Sequence, residues 1–201
     1  MNAILVIPRT PAIDDLARHG YQPDPAVAQR LCDELRTTGR IVPRQAAEDT
    51  PRYLQPIPLA YIECGSRHLL AFPGHDRRPD DRLYGMFTLW VGGHIDEGDC
   101  TGDPVRACLA RELEEELSTM GLPEPELTGL VRDTRSDRSA RHVGLVHRIR
   151  IDDEAVIQAL QGPPNQRQRG SEITQLVDRD ALPFPIDRLE PWSEFILAEL
   201  R

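Results

Sequence analysis

Residues 104–117 read PVRACLARELEEEL, and this stretch says more about the fold of the 201-residue chain than any other. An α-helix turns about 100° per residue, so Glu116 lies about 40° to one side of Glu112 and Glu115 about 60° to the other. The three carboxylates therefore share one stripe of a predicted helix. A second, apolar stripe beside it is predicted to face the core and comprises Leu109, Ala110, Leu113 and Leu117.

The start of this helix is marked by Asp103, whose carboxylate suits the N-cap, and by Pro104, which suits the first helical turn. Upstream, residues 87–91 predict a strand that ends at Gly92-Gly93, where the absence of a side chain permits close backbone approach. The loop after the glycine pair leads into the helix N-terminus, which is a natural site for anions.

Carboxylates crowded on one helix face repel one another by roughly 0.2–0.5 kcal/mol per pair. The repulsion becomes useful where divalent cations lie between them, because Mg²⁺ and Mn²⁺ prefer oxygen ligands. Such a cation polarises a phosphoryl group and lowers the pKa of a bound water. Arg111 can pair with a carboxylate of the group or brace the loop. The alternative, an ordinary helix with a solvated acidic face, is what the acidic run alone favours; the glycine pair shifts the balance.

The spacing of these residues resembles the signature of the Nudix hydrolase family, which is a glycine, five residues, a glutamate, seven residues and then Arg-Glu-apolar-any-Glu-Glu-any-Gly-apolar. Gly93 matches the first glycine, and residues 111–116 match the second half residue by residue. The resemblance covers about residues 56–180. The Gly-Gly-His-Ile opening (92–95), with the Val-Ile-Pro-Arg start (6–9), resembles a branch of the family described as predicted phosphoesterases.

The chain departs from the signature in two places. Seventeen residues separate Gly93 from Arg111, where the signature has thirteen. Counting forward from Gly93 places the first glutamate of the signature at Asp99, counting backward from Arg111 places it at Asp103, and both alternatives stay open. Ser118 replaces the closing glycine. The metal-binding half is intact, so we expect activity to survive.

The resemblance implies an α/β fold, namely a Nudix-like α/β/α sandwich with a mixed sheet. It also implies a metal-dependent hydrolase that cleaves a phosphoanhydride bond in a nucleoside diphosphate linked to another group, or in a similar small organic diphosphate. Arg111 is implied to orient the site. The implied ligands of Mg²⁺ or Mn²⁺ are the main-chain carbonyl of Gly93 and the carboxylates of Glu112, Glu115 and Glu116. The alternative is a catalytically weak ligand-binding or sensor domain, which predicts lost carboxylates, yet all three are present.

Three further site residues are weaker candidates. The general base is either a carboxylate of the signature or an acid from a distant loop, for which Glu172 is the candidate; an exposed glutamate at a strand edge is the commoner role of such a residue. His94 follows the glycine pair and is expected to contact substrate or metal, or equally to brace its loop. Arg82 is a candidate for binding substrate phosphates, with a solvated basic loop as the alternative.

The chain is expected to comprise an N-terminal extension, 1–55, packed on a Nudix-like domain, 56–201. In the extension, residues 3–7 predict a strand and 25–37 a helix, with 42–55 as a connection. In the domain, the irregular order of elements favours a mixed α/β sandwich. Besides those above, its predicted strands are 57–64, 69–72, 127–132, 142–151 and 172–177, and its predicted helices 155–160 and 191–200.

The formal charge of -9 argues against nonspecific nucleic-acid partners, because an acidic surface repels a phosphate backbone and anionic membranes. No run approaches the ~18 apolar residues that span a bilayer, so no membrane association is expected. None of the four cysteines forms a Cys-x-x-Cys pair, and we expect reduced thiols. The protein is therefore expected to be cytoplasmic, and the resemblance to Nudix hydrolases implies a small-molecule phosphate substrate. The oligomeric state stays open: a homodimer is common in the family that the chain resembles, but the sequence itself carries no dimer signal.

Overall fold

The structure is a computed structural model that describes residues 3–65, 68–73, 85–117, 122–160 and 175–201. Its α-helices are α1 (Pro11–Leu16), α2 (Pro25–Thr38), α3 (Arg44–Glu48), α4 (Pro104–Leu117), α5 (Glu154–Leu160) and α6 (Pro191–Leu200). Its strands are β1 (Ala3–Pro8), β2 (Gly20–Gln22), β3 (Arg40–Pro43), β4 (Tyr53–Cys64), β5 (His68–Pro73), β6 (Phe87–Thr88), β7 (Val91–Gly92), β8 (Glu126–Arg132), β9 (His142–Ile151) and β10 (Gln175–Asp178). The fold class is α/β with a mixed sheet, as predicted.

Two predicted segments differ from the structure. Residues 42–55 were expected to be a connection, but they contain the end of β3, all of α3 and the start of β4. Pro56 lies inside β4 and hid its start, because proline is rare within strands. The predicted strand 87–91 is divided into β6 and β7, since the Leu89 N–H donates to Ser193 Oγ at 2.9 Å and not to a strand.

The chain forms two compact units. The first comprises Met1–Leu59, Gly92–Ala110 and Leu127–His147, and the second comprises Ala60–Val91, Arg111–Glu126 and Arg148–Arg201. The N-terminal residues therefore share a unit with two later segments. These two units do not coincide with the predicted N-terminal extension, 1–55, and domain, 56–201. The predicted division into extension and domain stays a prediction.

In the first unit, β1 pairs antiparallel with β3, from Ala3 opposite Pro43 to Val6 opposite Arg40. The strand order here is β4–β9–β8–β2, and β2 is antiparallel to β8. Helix α2 begins at Asp24, whose carboxylate accepts from the N–H groups of Ala26 and Val27. The main hydrophobic core of this unit consists of Leu5, Ile7, Ile13, Ala17, Ala28, Leu31, Cys32, Leu35, Leu54, Ile95, Val105, Cys108, Leu130, Val143 and Leu145.

In the second unit, β5 is antiparallel to both β4 and β10. Helix α6 is tied to the β6–β7 segment by Glu190, whose Oε2 accepts from Trp90 Nε1 at 3.0 Å. Glu190 is buried, and desolvation raises the pKa of its carboxyl group. Among the described residues, no helix combines the length and the apolar character that are needed to cross a membrane.

Helix α4 follows the predicted pattern with one exception. The Asp103 carboxylate accepts from the N–H groups of Val105 at 3.1 Å and Arg106 at 3.3 Å, so it caps the helix as predicted. Leu109, Leu113 and Leu117 are buried, also as predicted. The prediction that Ala110 faces the core was wrong, because Ala110 is exposed. The buried face of α4 extends to the other side of Leu109 and includes Cys108, which is fully buried.

Candidate functional site

The acidic end of α4, comprising Arg111, Glu112, Glu115 and Glu116, is the first candidate site. Arg111 Nη1 donates to Glu112 Oε1 at 2.7 Å and lies 3.8 Å from Glu115 Oε1. One guanidinium group therefore contacts two of the three predicted carboxylates, as expected for residues one position and four positions along a helix.

The exposure of the carboxylates differs along this face. The Glu112 side chain is only 14% exposed, whereas that of Glu115 is 44% exposed. Glu116 is also exposed, as is Glu114 outside the stripe. The acidic end thus has one sheltered carboxylate held by Arg111 and two that water and ions reach. Three oxygen donors of this kind match the ligand preference of Mg²⁺ and Mn²⁺.

The glycine pair lies in the first unit and has two distinct roles. A Cβ on Gly92 would come within 2.2 Å of the Pro58 carbonyl oxygen, so only glycine permits the close approach of the two backbones. The carbonyl oxygen of Gly93 accepts a hydrogen bond from the Cys108 thiol at 3.6 Å. The Cys108 thiol also donates to the His94 carbonyl oxygen at 3.3 Å. The role of the Gly93 carbonyl as a metal ligand stays a prediction.

The two acids that compete for the first glutamate of the signature both carry structural hydrogen bonds. Asp99 is buried, and its Oδ2 accepts from the Asp96 N–H at 2.9 Å within a short 3₁₀ helix, Glu97–Thr101. Asp103 caps α4 and pairs with Arg36 at 3.0 Å. Both carboxylates stabilise the loop that leads into α4; the sequence predicted the capping role of Asp103 but not its pairing with Arg36 or the hydrogen bond of Asp99.

His94 lies beside side chains from two other parts of the first unit. Its Nε2 is 2.9 Å from Gln55 Oε1, and its ring packs edge-to-face on that of His142 with centroids 5.5 Å apart. One potential ligand atom each of His94, His142 and Glu48 lies within 4.8 Å of the others. Burial lowers the pKa of His94 to about 3, and the nearby Arg44 and His142 act in the same direction. His94 is therefore a neutral imidazole at neutral pH.

The sequence did not single out Glu48, Gln55 or His142. They come from three separate elements, and their only sequence signal is the neighbouring Gly-Gly-His-Ile opening that drew attention to His94. Two predicted site residues, Arg82 and Glu172, fall outside the described residues, and their roles stay predictions. All four cysteine thiols are free, as expected.

Comparison with known proteins identifies relatives of the chain and its fold. No protein-family model matches the chain. The chain is similar to protein YmaB of Bacillus subtilis (strain 168), with 26% identity over 205 residues that cover 96% of this chain and 95% of YmaB.

Among solved structures, Tm1382, designated a candidate Nudix hydrolase, is similar with a TM-score of 0.69 and 23% identity over 98% of this chain and 97% of that one. The chain has the Nudix fold. A MutT/Nudix family protein from Listeria innocua is similar with a TM-score of 0.48 and 17% identity, over 72% of this chain and 93% of that one. This weaker similarity supports no further conclusion. A fold hosts many activities, so function has to be argued from the site.

Proposed function

We propose that the chain is a metal-dependent hydrolase of the Nudix type that cleaves a phosphoanhydride bond in a small organic diphosphate, such as a nucleoside diphosphate linked to another group. The observation that carries the proposal is the acidic end of α4, where Arg111 contacts Glu112 and Glu115 while carboxylates stay open to solvent. The Nudix fold supports it, because the signature that the chain resembles belongs to enzymes of that fold.

The donor chemistry fits Mg²⁺ or Mn²⁺, which bind through carboxylate oxygens and keep several water ligands. We assign Glu112, Glu115 and Glu116 as the residues that would hold the cation. When bound, it would neutralise phosphate charge and lower the pKa of a water molecule. Arg111 would fix the Glu112 carboxylate in one orientation, since a short charge-assisted hydrogen bond restricts both side chains.

The substrate would be recognised by side chains outside this helix. Arg82 is our candidate for a phosphate contact and His94 for a further substrate contact, and Glu172 is our candidate for the general base. The negative charge of the protein is compatible with a phosphate substrate where bound divalent cations reverse the local field.

Turnover of a substrate panel tests the proposal. Nucleotide sugars, dinucleoside polyphosphates, ADP-ribose and nucleoside triphosphates are incubated with the full chain in Mg²⁺, Mn²⁺ or EDTA. We expect product release from at least one class of compound, and only with metal. Binding of a nucleotide without turnover in any condition would contradict the proposal and indicate a sensor domain.

Substitution of the exposed carboxylates sharpens the test. Glu115→Gln and Glu116→Gln each remove a charged oxygen ligand at constant size, so we expect turnover to fall by at least ~100-fold. Glu114→Gln is the matched control on the same helix but outside the stripe, and we expect its turnover to stay within about 2-fold. Thermal unfolding checks that all three variants fold. Equal turnover in Glu115→Gln and the parent would overturn the assignment.

A further inference from the structure

A second group of potential ligands, the Glu48–His94–His142 cluster, lies entirely within the first unit. Glu48 ends α3, His94 follows β7 and the adjacent Gly93, and His142 begins β9. All three residues are half-buried, so each is held by its surroundings and still reachable from solvent. Their potential ligand atoms converge within 4.8 Å of one another.

We propose that the Glu48–His94–His142 cluster binds one divalent transition-metal ion, Zn²⁺ before others, through the Glu48 carboxylate, His94 Nδ1 and His142 Nε2. This site is additional to the acidic end of α4 and does not depend on the proposed hydrolase activity.

The hydrogen bonds of Gln55 set the tautomer of His94. Gln55 is fully buried, and its Nε2 donates to the Ala47 carbonyl oxygen at 3.3 Å. That bond directs Gln55 Oε1 toward His94 Nε2, 2.9 Å away. An amide oxygen only accepts, so His94 Nε2 carries the proton and Nδ1 carries the ring lone pair. A neutral imidazole with a defined lone pair is the form that binds a metal.

A backbone carbonyl sets the tautomer of His142 in the same way. His142 Nδ1 lies 3.1 Å from the carbonyl oxygen of Arg138, which only accepts. His142 Nδ1 therefore carries the proton, and Nε2 carries the lone pair. Metal-binding histidines in proteins usually donate their second N–H to a carbonyl or carboxylate oxygen, which fixes the ring. Both histidines of this cluster make such a contact.

The donor set selects the class of metal. Imidazole nitrogen suits Zn²⁺, Fe²⁺, Co²⁺ and Ni²⁺, whereas Mg²⁺ prefers oxygen ligands. Two histidines and one glutamate form the three-ligand set of several zinc enzymes, in which a fourth position is open to water. Tetrahedral Zn²⁺ places its ligand atoms about 3.4 Å apart. One ligand atom from each of Glu48, His94 and His142 already lies within 4.8 Å of the others, so these atoms would have to approach by about 1.4 Å at most, on side chains that are half-buried.

Two guanidinium groups contact Glu48, one at its carboxylate and one at its main-chain carbonyl. Arg44 Nε is 3.8 Å from Glu48 Oε1, and Arg141 Nη1 donates to the Glu48 carbonyl oxygen. These charges oppose a bare cation, so the nitrogen lone pairs must supply most of the binding. They also favour an anion in the open position.

Metal titration of the full chain tests the site. The protein is stripped with EDTA and titrated with Zn²⁺ alone against a chromophoric chelator, and separately with Co²⁺, whose visible absorption reports nitrogen ligation. We expect one Zn²⁺ per chain. His94→Gln and His142→Gln should each lower Zn²⁺ affinity by at least ~10-fold and weaken the Co²⁺ bands. His19→Gln is the matched control, because His19 lies in the same unit but outside the cluster, and should leave both unchanged.

Three outcomes would overturn the proposal. The first is an unchanged Zn²⁺ affinity in both histidine variants, and the second is a wild-type Co²⁺ complex without bands of nitrogen ligation; the second does not depend on any variant folding. The third is loss of Zn²⁺ binding in Glu115→Gln/Glu116→Gln, which would assign the ion to α4. Retention of the site in that double variant, together with loss of Mg²⁺-dependent turnover, separates the two proposals.

Discussion

The acidic end of α4 and the Glu48–His94–His142 cluster are two candidate cation sites built from different materials. On α4 the donors are carboxylates from adjoining turns of one helix, held by a single guanidinium group. In the cluster, two imidazoles and one carboxylate come from three elements, and buried or backbone oxygens orient both rings. The oxygen-only set suits Mg²⁺ or Mn²⁺ and the mixed set suits Zn²⁺, so the two regions should respond to different metals.

Glu112→Gln is expected to have the largest effect on turnover. It also tests whether the acidic end of α4 and the Glu48–His94–His142 cluster are separate metal sites. Glu112 is the most sheltered carboxylate on α4, and its charge holds Arg111. Its neutralisation removes a ligand and an ion pair together, so we expect metal-dependent turnover to fall by at least ~100-fold. Zn²⁺ affinity, measured by chelator competition, should stay within about 2-fold of the parent. A parallel loss of Zn²⁺ affinity would merge the two regions into one metal site.

Gln55→Met is expected to have an intermediate effect and acts on the cluster through His94. Methionine matches glutamine in length but offers His94 no amide acceptor. We expect Zn²⁺ affinity to fall about 10–100-fold, as when other supporting residues of metal sites are removed. The unpaired Ala47 carbonyl should also cost about 1–3 kcal/mol of unfolding free energy.

The control for that variant is Gln45→Met. Gln45 lies on α3, and its side-chain amide donates to Asp49, an exposed residue, at 2.9 Å. We expect both its Zn²⁺ affinity and its urea unfolding midpoint to match the parent. If Gln55→Met also bound Zn²⁺ with full affinity, the tautomer argument for His94 would be wrong.

The sequence predicted the α4 region better than the cluster for a physical reason. A helix fixes the angular spacing of neighbours, so helical periodicity alone assigns Leu109, Leu113 and Leu117 to the core and Glu112 and Glu115 to an adjacent stripe. Even there the edge of the buried face was misplaced at Ala110, because tertiary packing sets how far burial extends.

The cluster was beyond sequence reasoning because its residues are separated by more than forty positions. Glu48 lies on α3, His94 after β7 and His142 at the start of β9, and the surrounding strand pairing includes β1 with both β3 and β4. That pairing was itself hidden, since Pro56 concealed the start of β4. A lone histidine in a loop carries little information until the fold supplies its neighbours.

Substitution of Asp103 is expected to have the smallest effect. The Asp103 carboxylate already accepts hydrogen bonds from the protein's own N–H groups, whereas the exposed carboxylates of α4 are proposed to hold a cation. Partial burial acts to raise its pKa, but hydrogen bonds from the Arg106 N–H and the Arg36 guanidinium outweigh burial, and the pKa is lowered. A folded-state pKa below the unfolded one stabilises the protein above the unfolded pKa, and this stabilisation is lost as pH falls through the folded pKa.

Asp103→Ala should therefore cost about 0.5–2 kcal/mol at neutral pH, the usual value of an N-cap. The difference from the parent should shrink when urea unfolding is repeated well below the ordinary aspartate pKa, since the parent then loses its charge as well. Asp103→Asn keeps the capping oxygen and loses only the charge, so its unfolding free energy should lie between those of the parent and Asp103→Ala. If Asp103→Ala had the same unfolding free energy as the parent at neutral pH, the hydrogen bonds of the Asp103 carboxylate would not stabilise the fold. Occupancy by N–H donors would then no longer distinguish this aspartate from the exposed glutamates of α4.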